Sequence, residues 1–171
     1  MNTRHSPSSS SAPGIGSSPN AADCRWLALA CELAVLCPPS TTAFSVGAVI
    51  VASDGTELAR GHSRESDPHD HAEEAALAKL PTEDPRLATA TLYSSLEPCA
   101  KRASRARACS QLIHDAHIPR VVTAWREPDT FVPGADGTEL LESAGVAVVE
   151  LPEYADAAQR PNRHLLSGGD R

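Results

Sequence analysis

Residues 45–52, SVGAVIVA, form a short apolar run that is rich in β-branched side chains. The run carries no charged residue and lacks the polar alternation of a strand with one solvent-facing side. It therefore predicts a strand that is buried on both faces. Such a strand needs other elements packed on each side of its sheet, and this requirement constrains the rest of the fold.

The remaining chain alternates between strand-like and helix-like segments. Ser53-Asp54-Gly55 is a turn signal, and residues 57–60 return as the second strand of a hairpin. Helices are predicted to begin near residues 21, 72, 109 and 138, with further strands at 89–94, 120–125 and 146–150. The order α-β-β-α-β-α-β-α-β predicts an α/β fold with a mixed, about five-stranded sheet covered by helices on both faces.

Composition divides the chain into three parts. Residues 1–19 contain seven Ser and three Pro, so this leader is predicted to be disordered. Residues 20–151 carry the regular patterns and form the predicted domain, whereas residues 152–171 are predicted to be a partly ordered C-terminal tail.

Charge and cysteine content narrow the function classes. The net charge of −7 argues against long nucleic-acid partners, and no apolar run reaches the roughly 18 residues of a membrane span. The N-terminus lacks the apolar core of a secretory signal. Five cysteines are too few for a disulfide scaffold of this size, and their number is odd. A cytoplasmic location is therefore expected, and in that reducing compartment clustered cysteines more often bind metal or react than form disulfides.

Three short motifs carry candidate chemistry. His71-Ala72-Glu73 opens a predicted helix, Pro98-Cys99 follows a strand, and Cys109 opens the next helix. A lone histidine or cysteine is usually structural, but this combination is typical of zinc-dependent deaminases of bases and nucleosides. His71, Cys99 and Cys109 would hold Zn²⁺ and leave a fourth position for water, while Glu73 would act as general base and then general acid.

A structural zinc site is the alternative to a catalytic one. A closed, purely structural zinc site needs a fourth protein ligand, for which His69, His62 and Cys37 are the nearest candidates. It would leave Glu73 without a role. Three cysteines on or next to the first predicted helix, Cys24, Cys31 and Cys37, are expected to be core or surface thiols without a metal role.

The motifs resemble a known family. Residues 46–77 (VGAVIVASDGTELARGHSRESDPHDHAEEAAL) and 94–99 (SSLEPC) are similar to the deaminase domain of the riboflavin-biosynthesis enzyme RibD. The nine residues between Cys99 and Cys109 favour this branch over most cytidine and adenosine deaminases, whose cysteines lie two residues apart. The resemblance covers about residues 40–150 and implies a cytidine-deaminase-like three-layer α/β/α sandwich that forms homodimers or homotetramers.

The substrate contacts of that family are less well matched. Residues 42–45 replace the family's Pro-Asn-Pro, so Phe44 and Ser45 are candidate substrate-binding residues by position only. The family's G-x-H histidine is shifted or lost at Gly61-His62-Ser63, which makes His62 a further candidate. The loop after Trp125 is expected to be a simple connection rather than part of the pocket.

A basic cluster lies between the two cysteines. Its cations are Lys101, Arg102, Arg105 and Arg107. Arg102 and Arg105 are candidate ligands of a substrate phosphate, although such a run can also be a solvated loop.

The leading hypothesis is therefore a deaminase of a small, phosphorylated amino-pyrimidine of the riboflavin-pathway type. The alternatives are a deaminase of dCMP, cytidine, cytosine or guanine, and a non-catalytic metal-binding module; a tRNA-adenosine editor fits the acidic charge poorly.

Overall fold

The computed structural model of the chain describes residues 18–128 and 136–166. The predicted disorder of the leader therefore falls almost entirely outside the described residues. The strands are β1 (Gly47–Val51), β2 (Glu57–His62), β3 (Thr91–Ser94), β4 (Arg120–Thr123) and β5 (Ala147–Glu150). The helices are α1 (Ala21–Ala34), α2 (Ala72–Leu77), α3 (Cys109–Asp115), α4 (Gly137–Ser143), α5 (Ala155–Gln159) and α6 (Arg163–Leu166), with 3₁₀ turns at Pro85–Thr89, Pro152–Tyr154 and Arg160–Asn162.

The five strands form one mixed sheet in the order β2-β1-β3-β4-β5. Strand β1 is antiparallel to both β2 and β3, whereas β3, β4 and β5 run parallel to one another. All five residues of β1 are buried, as the apolar run predicted. The structure thus confirms the predicted mixed sheet with helices.

Helices cover both faces of the sheet. On one face α1 and α5 pack over a core that contains Val49, Tyr93 and Val122. On the other face α2, α3 and α4 pack over alternate residues of the same strands, including Ile50 and Leu92. Because side chains along a strand point alternately to the two faces, the apolar residues of β1 contribute side chains to both cores.

Two glycines let helices approach the sheet closely. A Cβ atom at Gly47 would lie 2.1 Å from the carbonyl oxygen of Ala30 in α1. A Cβ atom at Gly61 would lie 2.6 Å from the backbone nitrogen of Ala76 in α2. The close packing of α2 against β2 matters for the site, because α2 begins with the residues of the His-x-Glu motif.

The observed elements differ from the predicted ones mainly at their ends. Helix α2 ends at Leu77, earlier than the predicted run to Leu80, and β4 ends at Thr123 rather than at Trp125. Residues 152–166, predicted as a partly ordered tail, form short helical turns whose Ala158 and Asn162 are fully buried. The domain boundary at residue 151 stays a prediction.

None of the helices within residues 18–128 and 136–166 has the length and hydrophobicity that crossing a membrane requires.

Candidate active site

Three candidate metal ligands meet beside the carboxyl end of β3. His71 caps the N-terminus of α2, Cys99 lies in the turn after β3, and Cys109 is the first residue of α3. The Sγ atom of Cys99 lies 3.6 Å from His71 Nδ1, and the Sγ atom of Cys109 lies 3.4 Å from the same nitrogen. The backbone N–H of Cys109 also donates to Cys99 Sγ at 3.4 Å. The fold therefore brings together the three residues that sequence analysis selected.

The spacing of these donor atoms suits a tetrahedral metal ion. Zinc with Zn–S bonds of about 2.3 Å and Zn–N bonds of about 2.1 Å sets sulfur and nitrogen roughly 3.6 Å apart. The three donor atoms lie within 4.8 Å of one another, and among the described residues no fourth His, Cys, Asp or Glu joins them. The arrangement fits a three-ligand site better than the closed four-ligand alternative.

Hydrogen bonds and burial shift the pKa values of the three candidate ligands. The pKa of Cys99 falls to about 4, because Cys109 and then His71 share hydrogen bonds with its sulfur, which outweighs burial. The pKa of Cys109 is raised, since its thiol is the donor to Cys99 and is deeply buried. Burial disfavours the charged form of His71, but the thiolate of Cys99 prevails and raises the pKa of that imidazole.

Glu73 is the buried carboxyl group next to this cluster. It is 3% exposed, and its Oε1 atom accepts a hydrogen bond from the hydroxyl of Ser94 at 2.8 Å. Burial raises the pKa of Glu73. A carboxyl group with a raised pKa, held in place by a hydroxyl, is suited to accept and return a proton. Ser94 ends β3 and was not selected from the sequence.

These groups open onto a cavity of about 620 Å³. This volume lies in the usual range for small-molecule sites, about 300–1,000 Å³. His71, Glu73 and Cys99 line it on one side, and Phe44 lines another wall. The ring of Phe44 packs edge-on against Trp125, with centroids 5.8 Å apart.

Glu127 is a cavity residue that sequence analysis missed. It follows β4 at the carboxyl end of the parallel strands, and its Oε2 atom is buried with no hydrogen-bond partner among the described residues. Burial, reinforced by the negative charge of Cys99, raises the pKa of Glu127 to about 7. The backbone N–H of Glu127 donates to the buried Glu97 carboxylate at 2.8 Å, which fixes the loop predicted to be a simple connection. Its position after a central parallel strand was the available signal.

The arginines of the basic cluster are already paired. Arg102, with a side chain only 3% exposed, lines the cavity and donates to Glu74 Oε2 at 3.0 Å. Arg105 pairs with Asp67, Asp70 and Glu74 and does not line this cavity. Lys101 lines the cavity and is exposed, and the structure gives it no ion pair within the described residues.

The remaining candidate substrate contacts, Ser45 and His62, do not line the cavity. Ser45 is buried behind the wall, where its hydroxyl accepts a hydrogen bond from Arg64 at 2.8 Å. His62 is half-buried next to Glu65 and does not line the cavity. The thiol of Cys37 donates to the carbonyl of Val46. His69 is exposed and lines the cavity, but it does not join the cluster of His71, Cys99 and Cys109. Of the five predicted substrate contacts, Phe44 and Arg102 therefore reach the cavity.

Comparison with known proteins agrees with this geometry. The family model for the cytidine and deoxycytidylate deaminase zinc-binding region matches residues 20–125. A diaminohydroxyphosphoribosylamino-pyrimidine deaminase from Schizosaccharomyces pombe is 40% identical over 126 residues, which cover 72% of this chain and 31% of that protein. The chain thus spans about a third of this curated relative.

Solved structures show the same fold. Acinetobacter baumannii RibD superimposes with a TM-score of 0.70 at 30% identity, covering 85% of this chain and 39% of that one. The Rib2 deaminase of Aspergillus oryzae, in complex with DARIPP, gives a TM-score of 0.67 at 22% identity and covers 88% of this chain and 99% of that one. The latter supports the fold only.

Proposed function

The chain belongs to the cytidine and deoxycytidylate deaminase family, and from this membership we propose that it is a zinc-dependent deaminase of a small amino-pyrimidine. The observation that carries the proposal is the grouping of His71, Cys99 and Cys109 at zinc-ligand spacing, with Glu73 buried beside them at the cavity. The resemblance to RibD-type deaminases makes a phosphorylated intermediate of the riboflavin-pathway type the preferred substrate.

The proposed roles follow from the donor types. His71, Cys99 and Cys109 would hold Zn²⁺, which when bound supplies a Lewis acid that makes water a nucleophile near neutral pH. Glu73 would take a proton from the attacking water and deliver it to the leaving amine. Ser94 would keep the Glu73 carboxyl group oriented through its 2.8 Å hydrogen bond. The net reaction replaces a C–N bond by a C–O bond and releases ammonia.

Glu127 would recognise the pyrimidine. The polar edge of an amino-pyrimidine presents N–H donors, and a buried carboxylate oxygen without a partner is suited to accept from them. Such an oxygen also discriminates, because a ring that lacks the donor would leave the carboxylate unsatisfied. The Oε2 atom of Glu127, which has no partner in the described part of the chain, supports this role from the cavity wall.

The phosphate would bind at the Lys101 side of the cavity. The ion pairs of Arg102 and Arg105 with acidic neighbours weaken the prediction that both arginines bind phosphate directly. Lys101 lines the cavity beside Arg102 and forms no ion pair with any of residues 18–128 and 136–166. We therefore expect Lys101→Ala to raise KM for a phosphorylated substrate at least about tenfold and to leave a dephosphorylated analogue unaffected. Arg107→Ala is the matched control, because Arg107 pairs with Asp115 away from the cavity.

The decisive experiment couples metal analysis to an ammonia-release screen. The purified chain should contain about one zinc per protomer, lose activity on chelation and regain it with zinc. The panel compares diaminohydroxyphosphoribosylaminopyrimidine with dCMP, cytidine, cytosine and guanine. Turnover of the first compound supports the proposal, and preference for dCMP supports the alternative within the family. A zinc-containing chain that releases ammonia from none of them would point to a non-catalytic module.

The expected homo-oligomer and the cytoplasmic location stay predictions. Size-exclusion mass tests the former, since a dimer would elute near twice the 18.0 kDa of the chain.

A further inference from the structure

The connection between α1 and β1 forms one wall of the active-site cavity. It belongs to no helix or strand, so contacts from other parts of the fold must hold it in place. The six cavity-lining residues of this wall are Pro39, Ser40, Thr42, Ala43, Phe44 and Val46. How firmly this wall is held decides the shape of the cavity.

Asn162, from the C-terminal segment, holds the wall from behind. Its side chain is fully buried. Its Oδ1 atom accepts from the Ser45 backbone N–H at 2.7 Å, and its Nδ2 atom donates to the Ser45 carbonyl at 2.9 Å. The same amide donates to the Ala158 carbonyl at 3.2 Å, which ties it to α5. The amide thus satisfies both backbone groups of Ser45, as a neighbouring strand would.

The anchored residue is connected to the substrate side of the wall. Arg64 donates to the Ser45 hydroxyl at 2.8 Å and to the Phe44 carbonyl at 2.9 Å. The Phe44 ring in turn packs on Trp125, two residues before Glu127. A shift of Ser45 would therefore move Phe44 and disturb the loop that carries Glu127.

A second contact comes from the same segment. His164 lies with Nε2 2.7 Å from the carbonyl oxygen of Ser40, near the other end of the wall. Two residues of the C-terminal segment therefore hold the wall at positions five residues apart.

We propose that Asn162 is a positioning residue whose amide, assisted by His164, fixes the 39–46 wall and thereby sets how tightly the substrate is bound. The substrate part of this inference rests on the proposed deaminase function; the anchoring of the wall does not. Asn162 touches neither the cavity nor the catalytic groups, so its loss should weaken substrate binding more than it slows the chemical step.

The test compares Asn162→Ala and His164→Ala with wild type as zinc-loaded full chains. Asn162→Ala should raise KM about tenfold and change kcat less than about threefold, and His164→Ala should raise KM by a smaller factor in the same direction. Arg160→Ala, at an exposed position on the same segment, should match wild type. If Asn162→Ala does not fold, His164→Ala decides alone.

Hydrogen exchange provides a readout that does not depend on the substrate. Amides of residues 40–46 should exchange faster in Asn162→Ala, while those around Cys99 stay as in wild type. Unchanged KM in every folded variant, or unchanged exchange in the wall, overturns the proposal. If wild type releases no ammonia from any substrate, the proposed function fails, and the exchange experiment still decides whether Asn162 anchors the wall.

Discussion

Replacing Glu73 by glutamine should separate proton transfer from metal binding. Glutamine has nearly the same size as glutamate and can still accept the hydrogen bond that Ser94 donates at 2.8 Å. It cannot take up a proton and return it. Because Glu73 lies outside the His71, Cys99 and Cys109 cluster, the zinc content of Glu73→Gln should equal that of wild type.

The expected loss is large. General acid–base catalysis contributes about 10²–10⁴-fold, and Glu73 would serve both the attack and the departure of the amine, so kcat should fall at least about a thousandfold, or ~4 kcal/mol in activation free energy. Stability should not fall, since an amide is less costly than a carboxylate to bury at a position 3% exposed. The melting temperature of the variant is therefore expected to equal or exceed that of wild type.

The assay measures ammonia release, zinc content and thermal unfolding on the same preparations. Glu74→Gln is the matched control, because its carboxylate pairs with Arg102 and Arg105 and does not line the cavity. It should lose less than about tenfold in kcat. Activity of Glu73→Gln within about tenfold of wild type, with zinc bound, would refute the assignment of Glu73 as the proton carrier.

Three further predictions test the pocket and the core. Glu127→Gln should raise KM about tenfold or more. In wild type, KM should fall as pH rises through about 7, because the carboxyl group of Glu127 ionises there. Steady-state kinetics at several pH values should show that this pH dependence is absent in the variant. Arg120→Met should destabilise the chain by about 3–5 kcal/mol in urea unfolding. The substitution removes the cation that pairs at 2.8 Å with Asp23, whose carboxylate is fully buried. Burial alone would raise the pKa of Asp23, but hydrogen bonds, above all from Arg120, hold this pKa below its ordinary value. The stabilisation by the pair is therefore fully present at pH values above the ordinary pKa and is lost as pH falls through the lowered pKa. Acid titration of Arg120→Met should not show this loss. Gly47→Ala should lower the melting temperature by several degrees, since its Cβ would meet the Ala30 carbonyl at 2.1 Å, whereas Gly55→Ala meets no atom within 4 Å and is strained only by its positive φ.

The strands and helices could be predicted because their signals are local. The β-branched run at 45–52 and the helix formers at 72–77 express their preferences within a few residues. The ends were harder to place, since burial and hydrogen bonding in the fold decide where an element ends. Helix α2 stops before Pro81 could end it, and β4 stops before Trp125, which turns to pack against Phe44.

The substrate side of the cavity was less accessible to sequence analysis. Arg102 and Arg105 form a basic run in the sequence, but the fold places Glu74 and Asp70 against them and neutralises most of that charge. The position of Glu127 after β4 was a general signal for a site residue. Only the tertiary structure shows that Glu127 lines the cavity and that its backbone N–H donates to the Glu97 carboxylate.

The sequence alone predicts the three donor residues of the metal cluster, the carboxyl group beside them and the alternation of strands and helices. Each of these features depends on a short stretch of chain. The tertiary structure alone decided which groups share the cavity. Asn162 and Ser45 are paired across 117 positions of sequence, and no local pattern in either segment indicates that partnership. Contacts of that range depend on how complete layers pack, so the wall of the pocket became visible only once the fold was assembled.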